Sequence, residues 1–219
     1  MLQKSAKRWP QWIESQLVRR GIEDDRVLRA FEAVPREAFI PSRYRDRAYS
    51  DRPVNIGCRQ TISQPFVVAL SIQALELTGT EKVLDVGTGS GYQAVLLSHL
   101  AREVFSIEVH HKLFINAKLV VERCQRAPVY QRHGDGSLGW AAEAPFDAIV
   151  AGARAPHLPQ SLADQLAVGG RMVIPIGGES AQGLFQFKKE ADGILRKKML
   201  TRVVFVPLVG KEGTGGVPD

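Results

Sequence analysis

The chain has 219 residues with 44% hydrophobic and 24% charged positions, enough for one sizeable core, which excludes a disordered or fibrous protein. Its 20 Gly and 12 Pro follow no period, so a collagen-like chain or a solenoid repeat is excluded as well. Lys+Arg 29 against Asp+Glu 23 leaves +6 at pH 7, a modest, interspersed basic excess compatible with anionic substrates or nucleic acid.

Lys4, Lys7 and Arg8 have no apolar run behind them, and no stretch approaches the ~18 apolar residues of a membrane-crossing helix. A cytoplasmic protein with no membrane partner is the expectation. Cys58 and Cys124 are too few for a disulfide scaffold and fit free thiols in a reducing compartment. His at 99, 110, 111, 133 and 157 form no His-Glu-x-x-His type of pair, so no metal is expected.

In chain order, Trp9, Ile13 and Leu17 recur at helical spacing until Gly21; Asp24-Asp25 can then cap a helix carrying Val27, Leu28, Phe31 and Val34, which Pro35 ends. Residues 35–60 are rich in Arg, Pro and Tyr and lack periodicity, a long irregular stretch of the functional or disordered kind. Ser63-Gln64-Pro65 opens a helix with Phe66, Ala69, Leu70, Gln73 and Leu77 on one side, ending near Gly79. Strand and helix then alternate: strands over 82–86, 103–108, 129–132, 146–150 and 171–176, and helices over 92–100, 112–124 and 158–166. Two runs, 184–189 and 198–206, flank Ala191-Asp192-Gly193 and read as an antiparallel hairpin. Four Gly and a Pro in 210–219 predict a frayed tail.

The alternation predicts an α/β, Rossmann-like fold of three layers, with a mostly parallel sheet, a C-terminal antiparallel hairpin and a ligand at the carboxyl ends of the strands. Residues 1–79 form an N-terminal helical and substrate-loop extension, 80–210 the core and 211–219 a flexible tail, together one structural domain.

The strongest local signal is Val83-Leu84-Asp85-Val86-Gly87-Thr88-Gly89-Ser90-Gly91-Tyr92, an apolar strand running through Gly-x-Gly-x-Gly into a helix. Glycine there supplies turn dihedrals and close backbone approach to a ligand. The third Gly comes one residue too early for a dinucleotide fingerprint, and Asp85 stands two residues before the first. A carboxylate there repels a pyrophosphate and attracts a cation such as the ammonium and sulfonium of S-adenosylmethionine (SAM). Glu108, ending the second strand, can accept from both ribose hydroxyls. Asp135, in His133-Gly134-Asp135-Gly136, reads as a turn residue taken alone; beside Asp85 and Glu108 it reads as an acceptor for an adenine amino group. Thr88, Ser90 and Gly136 complete the cofactor-binding set.

Beyond these motifs the sequence resembles the bacterial protein-L-isoaspartate O-methyltransferases over roughly residues 12–210. Ala48-Tyr49-Ser50-Asp51-Arg52-Pro53, Ile56-Gly57 and Gln60-Thr61-Ile62-Ser63-Gln64-Pro65 are similar to that family's signature segment. The glycine loop, His133-Gly134-Asp135-Gly136, Pro145-Phe146-Asp147-Ala148-Ile149 and Phe205-Val206-Pro207-Leu208 follow in the family's order, and Val34-Pro35-Arg36-Glu37-Ala38-Phe39 fits its N-terminal part. The resemblance implies a SAM-dependent methyltransferase fold and methylation of the free α-carboxyl of L-isoaspartyl residues in damaged proteins, the ester then closing to a succinimide. It implies Ser63 as the active-site serine and Asp85, Gly87, Gly89, Glu108 and Asp135 as SAM-binding positions. No nucleic-acid partner is expected, because the Asn/Asp-Pro-Pro-Tyr/Phe type of motif is absent and the basic excess is modest. A carboxylate nucleophile is already ionised at pH 7, so no general base is required. By residue type alone Ser63 reads first as an N-cap for the following helix, and the resemblance reverses that.

Departures cluster on the acceptor side, where Thr61, Ile62 and Arg59 form the expected substrate-binding set. Cys58-Arg59 stands where a small residue precedes Gln-Thr-Ile-Ser, Asn55 where Pro is usual, Val204 where Arg is usual, and Ala151-Gly152-Ala153 replaces a Thr-containing stretch. Arg59 is expected to contact the acceptor carboxylate and replace the charge missing at Val204; the alternative is a solvated surface arginine. Other readings are a paralogue methylating another peptide or small acid, and a non-catalytic module that binds damaged peptide.

Overall fold

The computed structural model describes residues 10–215, so Trp9 and the last four residues of the expected tail lie outside the described residues. Helix α1 (Gln11–Gln16) passes through a 3-10 turn, Val18–Arg20, to Gly21 at φ 96°, a left-handed position that suits glycine. Asp24 caps α2 (Asp25–Ala33), its carboxylate accepting from the Arg26 N–H at 2.8 Å and the Val27 N–H at 3.4 Å. Val27, Leu28, Ala30 and Phe31 form the buried side of α2.

The stretch 35–60 is more regular than its composition predicts. Arg36–Phe39 and Ser42–Arg47 are 3-10 helices, and β1 (Val54–Gly57) pairs antiparallel with β2 (Gln60–Ile62). Elements this short hold too few positions to display a hydrophobic period. Helix α3 (Pro65–Gln73) has Pro in its first turn and Gln64 at its N-cap, and it stops before a turn at Ala74 rather than near Gly79.

The remaining elements build one seven-stranded sheet: β3 (Lys82–Val86), β4 (Glu103–Glu108), β5 (Val129–His133), β6 (Phe146–Ala151), β7 (Leu166–Gly177), β8 (Gln182–Lys189) and β9 (Leu195–Val203). Helices α4 (Tyr92–Ser98), α5 (His111–Cys124) and α6 (Gln160–Gln165) connect them. The order is β5-β4-β3-β6-β7-β8-β9, parallel from β5 to β7 and antiparallel at β7–β8 and β8–β9. Alternation along the strands separates two cores: Val83, Ala148 and Val150 join the N-terminal helices on one side, while Leu84, Val86, Ile149 and Met172 join Leu162 on the other. That is the predicted three-layer α/β fold.

The chain winds outward from β3 to β5 and then returns to lay β6 against the other side of β3. At this reversal Val86 and Ala151 end their strands in register, and the loops that follow diverge to leave a crevice. The segment expected to fray from Gly210 is held in place as far as it is described. Lys211 donates its N–H to Asp135 at 2.7 Å, Glu212 donates its N–H to the Ser137 hydroxyl at 2.9 Å, and the Glu212 carboxylate accepts from the Ser161 N–H at 3.0 Å. Glycine content marked the segment as flexible, whereas its partners are more than fifty residues distant in sequence.

Candidate active-site cleft

The crevice continues as one cleft in three parts, and Thr61 and Gly152 line all of them. One end is framed by Gly87, Gly89, Glu108, His110 and Gly136; the middle by Ile62, Ser63, Thr88, Ser90 and Tyr92. The other end opens into a cavity of about 800 Å³ walled by Pro53, Ser63, Gln64, Val67, Phe185, Met199 and the segment 202–206.

The glycine end is acidic. Glu108, 4% exposed, accepts from the Gly89 N–H at 2.7 Å through Oε2 and from the His110 N–H at 2.8 Å through Oε1. Each oxygen keeps a further lone pair for a hydroxyl in the cleft. Asp85 is fully buried and lines none of the three parts. Strand alternation turns it to the α4 side of the sheet with Val83, so it sits under the glycine loop instead of meeting a ligand directly. There it accepts from Gln93 Nε2 and from the Ser106 hydroxyl, both at 2.8 Å, and Ser106 in turn bonds the Thr88 hydroxyl at 2.5 Å. Burial raises the Asp85 pKa to about 6, with the Glu108 charge adding to the rise and the bonds from Gln93 and Ser106 opposing it.

The loop backbone explains its glycines. Gly87 sits at φ 89°, and a Cβ on Gly91, at φ 86°, would stand 2.6 Å from Val121 Cγ2 of α5. Asp135 behaves as the turn reading describes: it caps a 3-10 turn, accepting from the Ser137 N–H at 2.8 Å and hydroxyl at 2.6 Å as well as from Lys211. Gly136, beside it, lines the cleft. His110 and Gln60 were missed from sequence; their Nε2 atoms lie 3.3 Å apart and tie the β1–β2 hairpin across this end.

At the cavity end the cap alternative for Ser63 falls away. Gln64 occupies the N-cap without a side-chain bond, and the half-buried Ser63 hydroxyl makes no hydrogen bond among the described residues. Arg59 is placed differently from expectation. Gly57 pairs with Gln60, so Cys58 (φ 49°) and Arg59 (φ 58°) form the two-residue tip of the hairpin, where Arg59 is exposed and does not line the cavity. The cation of this cavity is Arg202, its single charged lining residue among those described. The available signal was that Arg202 stands two residues before Val204, the position marked as lacking a charge. Gly152, which follows β6, was missed too.

A doubly wound sheet with an acid-framed glycine loop at its switch point, opening into a second cavity, is the arrangement of a SAM-dependent methyltransferase. Residues 11–213 match the family model of protein-L-isoaspartate(D-aspartate) O-methyltransferase. A protein-L-isoaspartate O-methyltransferase of Desulfosudis oleivorans is 47% identical over 207 residues, 94% of this chain and 93% of its own length. One from Marinobacter nauticus is 50% identical over 202 residues, 92% of each chain. A Plasmodium falciparum crystal structure described as a protein-L-isoaspartate O-methyltransferase with S-adenosyl-L-homocysteine superposes with a TM-score of 0.78 at 29% identity, covering 90% of this chain and 96% of that one. The chain belongs to the protein-L-isoaspartate O-methyltransferase family. Among the described residues there is no helix long and apolar enough to cross a membrane, and no group of three or more His, Cys, Asp or Glu able to hold a metal ion.

Proposed function

We propose that this protein transfers a methyl group from SAM to the free α-carboxyl of L-isoaspartyl residues in damaged proteins and peptides. The observation that carries the reading is the polarity of a single cleft: Glu108 lining one end with Asp85 buried beneath it, Arg202 at the other, and the uncommitted Ser63 hydroxyl where they meet. The glycine end fits the cofactor, because a cation gains from two buried carboxylates and a ribose from the free lone pairs of Glu108. SAM bound there supplies an electrophilic methyl group. Ser63 donates a hydrogen bond to the acceptor carboxylate, and Thr61 with Ile62 holds the strand that aims it. The apolar wall of Val67, Phe185, Met199 and Val203 excludes water from a reaction between two charged partners. Among the described residues no imidazole or carboxylate lines this cavity, which suits a nucleophile that is ionised already. Half-buried free thiols at Cys58 and Cys124 support a reducing, cytoplasmic setting.

The deciding experiment is methyl transfer to an isoaspartyl peptide beside its aspartyl twin. Transfer to the first alone is expected; equal transfer to both, or none to either while SAM binds, overturns the reading in favour of another acceptor or a binding module. Ser63→Ala should lower kcat/KM about tenfold with SAM affinity unchanged. Unchanged turnover would remove the serine from the mechanism.

A further inference from the structure

Arg36 is fully buried, at 0% exposure, in the 3-10 helix that follows α2. Its Nε donates to the Ala48 carbonyl and its Nη2 to the Ser63 carbonyl, each at 2.8 Å. The guanidinium carbon lies 5.1 Å from the centre of the Tyr92 ring, and Tyr92 lines the middle of the cleft. Among the described residues no carboxylate comes within 4.0 Å of Arg36. Asp51, the acid whose charge reaches it, is committed to Arg20, to Gln64 at 2.5 Å and to the Phe66 N–H at 3.4 Å. Nη1 of Arg36 and the hydroxyl of Tyr92 make no hydrogen bond of good geometry, although the two side chains interact electrostatically with each other.

A lone buried charge is among the costliest arrangements a fold can hold, and an apolar side chain of like volume would fill the space without that cost. Burial pulls the guanidinium's pKa down, yet an arginine keeps its proton at neutral pH. With no carboxylate bonded to it, the charge is offset only in part, by Tyr92 and the more distant Asp51, in a water-poor layer one hydrogen bond from the residue that meets the acceptor. We propose that Arg36 is the positioning residue of the acceptor site, fixing Ser63 through its main-chain carbonyl and providing the permanent positive charge that an incoming carboxylate offsets. The fork to Ala48 and Ser63 also joins the segment before the hairpin to the junction between the hairpin and α3, so the acceptor wall is set as one unit. Because the field of Arg36 acts through protein, salt screens it far less than it screens the exposed Arg202.

The inference rests on the isoaspartyl reading above. Its test uses the full chain, with S-adenosylhomocysteine affinity and thermal melting as folding controls. Arg36→Gln should raise KM for the isoaspartyl peptide about tenfold or more, at low and high salt alike, with S-adenosylhomocysteine affinity within about twofold of wild type. Arg36→Lys keeps the charge and loses the fork, so it should bring KM back to within about threefold of wild type while lowering kcat. A folded Arg36→Gln with wild-type KM overturns the proposal, as does an Arg36→Lys no better in KM than Arg36→Gln. Should Arg36→Gln not fold, the lysine variant decides, and a raised KM with unchanged kcat overturns the proposal. A wild-type protein inactive on the peptide sinks the functional reading and this inference together; an active one with indifferent variants sinks only the inference.

Discussion

Asp85 is ionised at pH 7 inside a layer that excludes water, because its pKa of about 6 still lies below neutrality. Its ordinary value is 3.8, so between 3.8 and about 6 the folded protein holds a proton that the unfolded chain has released. Stability contributed by this group consequently falls as pH rises through that window and stays low above it. The shift corresponds to about 3 kcal/mol against folding at neutral pH. Asp85→Asn should stabilise the ligand-free protein by about 1–3 kcal/mol at pH 7 to 8, once the weaker bonds of an amide are counted, with the gain shrinking as pH drops from 6 to 4. The same change should weaken SAM binding by about tenfold, since it removes one of two buried carboxylates at that end. Melting curves across pH and calorimetric titration check the two halves; a destabilised variant with wild-type affinity would reject this account of Asp85. At the other end, Arg202→Met should raise KM for an isoaspartyl peptide about fivefold to tenfold, while Arg59→Ala leaves it within about twofold. The reverse ranking would restore Arg59 to the acceptor site.

The tip of the β1–β2 hairpin is strained. Cys58 and Arg59 both hold positive φ, a conformation that costs a side chain about 1 kcal/mol or more and that Asn-Gly adopts readily. Replacing the pair by Asn-Gly should therefore raise stability by about 1 kcal/mol, a rise of about 2–4 °C in Tm for a chain of this size. Peptide KM should stay unchanged, because neither residue lines the cavity. The hairpin's grip on the cofactor end comes from Gln60 and His110, away from the tip. A fall in Tm would mean the native tip makes contacts that outweigh its strain.

At the scale of the whole molecule, two of the buried acids and one buried cation are set apart along the cleft. Asp85 and Glu108 lie under and beside the glycine loop, whereas Arg36 bonds the strand-to-helix junction at Ser63. Two oppositely charged reactants would thus each meet a field of the complementary sign before they meet each other. On the proposed function an acceptor peptide enters beside Arg202, which is exposed and screened by salt. Raising salt from ~0.05 M to ~0.5 M should increase peptide KM several-fold and leave SAM affinity nearly constant. Equal salt sensitivity of both ligands in binding assays would contradict the segregation.

The layer architecture, the glycine loop and the acids around it were legible in the chain, because strand and helix periods, capping residues and glycine punctuation are local properties that neighbours in sequence enforce. Asp24 capping α2, Gly21 ending the first helical run and Glu108 at the end of β4 are found where local chemistry put them. What the chain could not show was which way a polar residue finally faces. Asp85 reads as a ligand contact until alternation on β3 turns it beneath the loop, and Arg59 reads as an acceptor contact until the pairing of Gly57 with Gln60 carries it to a hairpin tip. Arg36 belongs to a motif whose sequence says nothing of burial, and the partners of Lys211 and Glu212 come from a loop and a helix far along the chain. Facing, burial and long-range pairing depend on contacts between segments that share no local period, so only the assembled sheet and the layers packed on it decide them.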